Sequence, residues 1–248
     1  MHDASARFRS QFRSQFRSRR CTAADRCGLR FPVTDGSPLG ARCPLCGAPT
    51  EWVDEPYPTH GVSPEGEGER AAEAIAAPNP QPGARLRVEA LLDNIRSLSN
   101  VGSMFRTADG AGLSHLYLGG ITPSPEHPKL VKTALGAERW VPWSRHPDAT
   151  TIAAELCARG RRLWALEGGP RSCSLFDPGV AGAAGERRAS GDAVVLVLGH
   201  EVSGVDPRIL EQCERVIHLP MMGSKDSLNV SVALGVAAYL LRFGLGSG

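Results

Sequence analysis

Four cysteines near the start of the chain fall as two pairs, Cys21-x5-Cys27-Gly and Cys43-Pro-Leu-Cys46-Gly. Two thiolate pairs about fifteen residues apart are the donor set for one tetrahedral Zn²⁺, and a closed four-sulfur shell is structural rather than catalytic. A segment this short has almost no core, so the metal would supply its folding energy. The other three cysteines, Cys157, Cys173 and Cys213, are scattered singly. Clustered pairs without an apolar leader favour metal ligation in a reducing compartment, taken here as the cytoplasm, over a disulfide framework. A non-metal or redox arrangement is the alternative, because the x5 pair is looser than a CxxC.

Three later segments hold polar groups at useful spacings. The first runs Asn94-Ile-Arg-Ser-Leu-Ser-Asn100-Val-Gly102-Ser-Met-Phe-Arg106. Asn100 is placed to cap the helix that follows. Arg106 comes nearly two turns later, close to the same face, and Gly102 permits close backbone approach. In the second, the apolar run Val195–Leu198 ends in Gly199-His200-Glu201-Val-Ser-Gly204. That pattern sets a carboxylate at the C-terminal edge of a strand, where open α/β sheets bind ligands. Its spacing matches neither common phosphate-binding fingerprint. The third passes from Ile217-His-Leu219-Pro220 through a loop to Ser227-Leu228-Asn229-Val230, where Ser227 or Asn229 would cap a helix. Taken singly, each segment also reads as an ordinary cap or strand-to-helix turn.

The elements that must position these groups alternate in type. Strands are predicted at Arg87–Leu92, Leu113–Leu118, Trp140–Val141, Arg162–Leu166, Ala193–Leu198 and Arg215–Leu219. Helices are predicted at Val101–Ala111, Lys129–Leu135, Thr151–Cys157, Asp206–Glu211 and Asn229–Phe243. Ala193–Leu198 is apolar on both faces, as a central parallel strand is. The result is an α/β domain with a mostly parallel sheet over residues 85–245. Trp140, Trp143 and Trp164 read as core packing, and His115, His127, His146 and His218 as surface or edge residues.

The chain has 248 residues, 42% of them hydrophobic, and a net charge of +2. No apolar run approaches the roughly 18 residues of a membrane span, so no membrane partner is expected. Residues 1–20 are rich in arginine and read as a basic tail: disordered, an arm on RNA phosphates, or a transit leader. Residues 21–50 read as a small zinc-ribbon-like module, and residues 51–84, rich in Pro, Gly, Glu and Ala, as a linker.

In their order and context, the three segments resemble the three motifs of the SpoU (TrmH-like) family of the SPOUT methyltransferase superfamily. The resemblance covers roughly residues 86–243 and includes Gly136-Ala-Glu-Arg-Trp-Val-Pro142. It implies a C-terminal deep trefoil knot, an exception to the rule against knotted chains. It also implies S-adenosylmethionine as cofactor and transfer of its methyl group to a ribose 2′-hydroxyl of ribosomal or transfer RNA. By this resemblance Leu198, Gly199, Ile217, Leu219 and Leu228 surround the cofactor, largely through backbone groups. Asn100, Arg106, Glu201, Ser227 and Asn229 fall in the catalytic pocket, with Arg106 assisting at the hydroxyl as a base or as an orienting group. His200 stands where the family usually has a small residue. Two subunits would pair to complete the site, consistent with the apolar length of Val230–Leu241. A non-catalytic RNA-binding protein that kept the knotted fold is the alternative, and it predicts loss of Arg106, Asn100 or the Ser-Leu-Asn run.

Overall fold

The computed structural model describes residues 15–34, 37, 40–53, 57–58, 86–180 and 193–244. The first four strands form a small antiparallel sheet: β1 (Gln15–Cys21), β2 (Arg30–Thr34), β3 (Thr50–Trp52) and β4 (Tyr57–Pro58). β1 pairs with all three others, and β2 pairs only with β1. Pro32, which has no backbone N–H for a ladder, therefore sits on an edge strand. Residues 15–20, expected within a basic tail, belong to this sheet, as do residues 50–52 and 57–58; residues 1–14 and most of 54–85 lie outside the described residues. β1 places Phe16 and Ser18 on one face and Arg17 and Arg19 on the other. The guanidinium carbons of Arg17 and Arg19 lie 4.7 and 3.9 Å from the ring centre of Trp52.

From residue 88 onward, α/β alternation takes over. β5 (Val88–Asp93), β6 (Leu116–Gly119), β7 (Trp143–His146), β8 (Arg162–Leu166), β9 (Cys173–Ser174), β10 (Val194–Leu198) and β11 (Arg215–His218) form one sheet in the order β7-β6-β5-β10-β8-β11-β9. Every pairing in it is parallel. β5 and β10 are buried along their whole length, as a strand covered on both faces must be. The helices are α1 (Leu98–Ala111), α2 (Pro128–Ala134), α3 (Ala149–Ala158), α4 (Pro207–Gln212) and α5 (Val230–Tyr239), which continues into a turn at Leu240–Gly244. α1, α2 and α5 share one apolar layer with Trp164 and the inner residues of β10. α3 and α4 cover the opposite face.

Two expectations need correction. Trp140–Val141, expected as a strand, ends a short 3₁₀ turn (Ala137–Arg139); Pro142 follows and the strand begins at Trp143. Trp140 is 77% exposed and is not core, whereas Trp164 is fully buried.

Candidate active site

The sheet turns direction at β5 and β10. β5 continues through α1 to β6 on one side, and β10 continues through α4 to β11 on the other. The loops that leave two such adjacent strands diverge and open a crevice at their C-terminal ends. Glu201 spans this crevice. Its carboxylate accepts from the backbone N–H of Arg96 (3.2 Å) and Ser97 (3.3 Å) and from the side-chain amide of Asn100 (3.3 Å). Burial alone would raise the Glu201 pKa, but the backbone N–H groups around it, with His200, hold it below its ordinary value.

Asn100 does not cap α1. Ser97 does, accepting from the Asn100 N–H, and this frees the Asn100 side chain to face the crevice. Its Oδ1 accepts from the amide of Asn229 (3.1 Å). Asn229 in turn caps α5, accepting from the N–H of Ser231 and Val232. A continuous chain of hydrogen bonds, Asn229 to Asn100 to Glu201, thus joins all three motifs at one corner. α1 and α5 run side by side away from it. Gly102 is required one turn along α1: a Cβ there would lie 2.0 Å from Thr133 Oγ1 and 2.9 Å from the Ala134 nitrogen on α2.

Ser227 and Arg106 stand apart from this chain. Ser227 is exposed and its hydroxyl contacts Asp226 at 3.4 Å. Arg106 is exposed and lies six residues along α1 from Asn100, about 9 Å down the axis and about 120° around it, so the two do not share a face as expected. Of the expected cofactor residues, Leu198 and Ile217 are buried strand ends, while Leu228 is exposed. Gly199 admits no side chain, since a Cβ would lie 2.1 Å from the carbonyl carbon of Gly204 and the nitrogen of Val205. The sequence reading missed the loop after β8. There the Glu167 carboxylate accepts from the Val205 N–H (3.2 Å) and holds the loop after β10 against the loop after β8. Its signal was the Glu-Gly-Gly that ends an apolar strand.

The four cysteines converge as expected: their sulfurs all lie within 4.8 Å of one another. Cys21 approaches Cys46 at 3.5 Å and Cys27 approaches Cys43 at 3.6 Å. Burial pushes the Cys27 thiol up to about 12, while a backbone N–H at Ala48 lowers exposed Cys46 to about 7.

A wholly parallel sheet whose strand order reverses between β5 and β10, with helices on both faces, defines an open, doubly wound α/β domain. The chain belongs to the SpoU rRNA Methylase family, whose model matches residues 87–239. Among similar proteins, the 23S rRNA (guanosine(2553)-2′-O)-methyltransferase RlmP of Bacillus subtilis is 30% identical over 161 residues, 64% of this chain and 59% of that protein. The 23S rRNA (guanosine-2′-O-)-methyltransferase RlmB of Haemophilus influenzae is 32% identical over 163 residues, 63% and 60% of the two chains. An AdoMet-bound rRNA methyltransferase structure from Sinorhizobium meliloti superposes with a TM-score of 0.54 at 25% identity, covering 68% of this chain and 59% of the other. The chain spans only 59–60% of the length of these two curated relatives, and the four-cysteine module lies outside the matched residues.

Proposed function

We propose that this protein transfers a methyl group from S-adenosylmethionine to a ribose 2′-hydroxyl of ribosomal or transfer RNA. The observation that carries the reading is the Asn229–Asn100–Glu201 chain, which links the three motifs at the reversal point of the sheet. The cofactor suits the groups present. Residues 219–229 follow β11 without regular structure, so their backbone N–H and C=O groups are not consumed by a ladder. Within that segment Met222, 99% exposed, and Leu228 offer apolar surface for a purine ring. When bound, the cofactor supplies an electrophilic methyl group on sulfur.

The chain's own residues then supply alignment. Asn100 and Asn229 fix the start of α1 to the start of α5, and Glu201 fixes both to the loop after β10. Holding acceptor oxygen and donor carbon in line is worth several orders of magnitude in rate. Arginine is a donor-only side chain, so Arg106 orients the hydroxyl and its neighbouring phosphate. In one subunit Arg106 stands well away from Asn100, which suits a site completed by a second subunit. Val232, Val236, Tyr239 and Phe243 form an exposed apolar stripe at helical spacing along α5 and the turn after it, and a homodimer would cover it.

The four sulfurs fit a structural zinc. A Zn–S bond of about 2.3 Å puts tetrahedral sulfurs about 3.8 Å apart, and the shorter approaches here are 3.5 and 3.6 Å. Reduced thiols and an RNA substrate suit the cytoplasm; among the described residues no helix is long and apolar enough to cross a membrane. A non-catalytic RNA-binding role is not favoured, because Asn100, Arg106 and the Ser227–Asn229 run are all present. Mapping 2′-O-methyl sites in total RNA from a deletion strain and its parent tests the proposal. One missing methyl, restored by the wild-type gene, is expected, and identical maps would overturn it.

A further inference from the structure

The cysteine module is joined to the rest of the chain by more than a linker. The face of β1 and β2 that carries Phe16, Ser18, Arg30 and Pro32 lies against the loop after β10, the same loop that holds Gly199 and Glu201. Arg30 is 3% exposed, and its guanidinium pairs with Asp206 at 2.5 Å. Asp206 is no passive partner: its side chain caps α4, and its N–H donates to Asp93 at the end of β5 (2.8 Å). Phe16 meets the ring of His200 edge-on at 6.2 Å. The His200 Nδ1 accepts from the N–H of Val202 and Ser203 and so fixes the turn that follows Glu201. Ser18 and Pro32 share a small cavity with His200, Ser203 and Val205. On the far side, Ile121 packs against the module's core, and the Arg30 N–H reaches the carbonyl of Pro147 (3.4 Å).

Besides the Asp206–Asp93 bond, residues 199–206 are therefore gripped by side chains at three points. Glu201 ties them to α1, Glu167 ties Val205 to the loop after β8, and the module holds His200 and Asp206. The first two grips belong to the site itself. The third depends on a sheet whose own small core includes Cys21, Cys27 and Cys43. A core that small draws much of its folding free energy from a bound metal. An arginine buried against one carboxylate also makes this contact geometrically exacting, because an unpaired partner would be left in a dry site.

We infer that the metal-loaded cysteine module acts as a clamp on the cofactor loop, with Arg30 and Phe16 as positioning residues, so that metal occupancy and cofactor affinity are thermodynamically coupled. This inference rests on the methyltransferase reading. Coupling between two sites is reciprocal and typically amounts to about 5- to 150-fold. Removing the metal weakens cofactor binding, and bound cofactor slows metal loss by stabilising the clamped form.

The test uses the full chain and S-adenosylhomocysteine as probe, in four forms: zinc-loaded, zinc-stripped, Arg30→Met and Arg30→Lys. Calorimetry gives the affinity, a chromogenic chelator follows zinc release with and without the probe, and hydrogen exchange reads residues 199–206. The expected results are a loss of about 5-fold or more in affinity for the stripped protein and for zinc-replete Arg30→Met. Arg30→Lys should recover part of it, zinc release should slow when the probe is bound, and faster exchange should be confined to the loop. If Arg30→Met does not fold, Phe16→Ala replaces it and the stripped wild type stands alongside. Arg159→Ala, which breaks an exposed pair on α3, serves as a control with unchanged affinity. Affinity that is indifferent to both zinc and Arg30, with zinc release unaffected by the probe, overturns the clamp. Failure of the zinc-loaded wild type to bind the probe would instead overturn the methyltransferase reading.

Discussion

The side-chain amide of Asn229 donates to Oδ1 of Asn100 at 3.1 Å, across 129 residues of sequence. Because the Asn229 oxygen is occupied in capping α5, only its nitrogen is left to reach α1, and this fixes the orientation of both amides. The polarity of the chain then runs one way, from Asn229 through Asn100 to the acceptor Glu201.

That polarity gives the first prediction. Glu201 receives three donors and gives none. Glu201→Gln keeps the shape but turns an NH₂ toward one or more of them. Leaving such groups mispaired costs about 1–3 kcal/mol. The variant should show a lowered thermal midpoint and turnover reduced by about 10-fold or more, the rate equivalent of about 1.4 kcal/mol. Wild-type values for both would show that the carboxylate is not what holds the corner together.

Parts of this corner were readable in the sequence, for reasons specific to each part. Val194–Leu198 declared itself a central strand because a strand covered on both faces has no polar alternation to hide it. Arg162–Leu166 was placed to the residue. The Asn229–Asn100 contact could be anticipated only through the family resemblance, since no local pattern reports a pairing over such a separation. β1 escaped notice altogether. It alternates Phe and Ser with Arg, and the arginines pack over Trp52 while Ser18 faces the domain, so no apolar period marks it. Trp140 misled in the opposite way, since an aromatic beside a valine suggests a strand, yet it ends a solvent-facing turn.

The second prediction concerns pH. Burial, then the neighbouring Arg96, lowers His200 to about 4, while burial and the charge of Asp206 raise Asp93 to about 7. For His200 the unfolded chain binds a proton below about 6.5 that the native state refuses until about 4, so its contribution to stability grows as pH rises through that interval. For Asp93 the native state keeps a proton that the unfolded chain loses above 3.8, so its contribution falls as pH rises toward 7. The two slopes oppose each other where they overlap. His200→Gln should leave a protein whose thermal midpoint falls with rising pH relative to wild type, and Asp93→Asn one whose midpoint rises. Midpoints scanned across the interval decide it, and equal slopes in the two variants would contradict the assignment.

The third prediction concerns assembly. The stripe of Val232, Val236, Tyr239 and Phe243 along α5 and the turn after it is apolar and exposed in a single subunit. A carboxylate buried at its centre without a partner is strongly unfavourable. Light scattering should show a wild-type dimer at micromolar concentration, and Val236→Glu should shift it to monomer with loss of methyl transfer. A fully active wild-type monomer would refute both the dimer and its part in the site.

Arg106 provides the last prediction. It lies outside the Asn229–Asn100–Glu201 chain, so replacing it disturbs neither that chain nor the backbone of residues 199–206 and 219–229. Arg106→Ala should therefore bind S-adenosylhomocysteine with nearly wild-type affinity and keep its thermal midpoint. Turnover should fall by about 10²-fold or more, the scale of losing one group that handles or orients a reacting hydroxyl. Arg106→Lys should not restore it, because an ammonium cannot reproduce the planar fork that engages a hydroxyl and a phosphate together. If the residue acts across a dimer, mixing Arg106→Ala with Asn229→Ala subunits should regain activity. A mixed dimer then holds one site with both intact residues. Methyl transfer to RNA from the deletion strain is the readout for each variant and for the mixture. Recovery on mixing places Arg106 and Asn229 of one site on different subunits; no recovery, with both variants dimeric, places them on the same one. Near-normal turnover of Arg106→Ala would remove the residue from the reaction altogether.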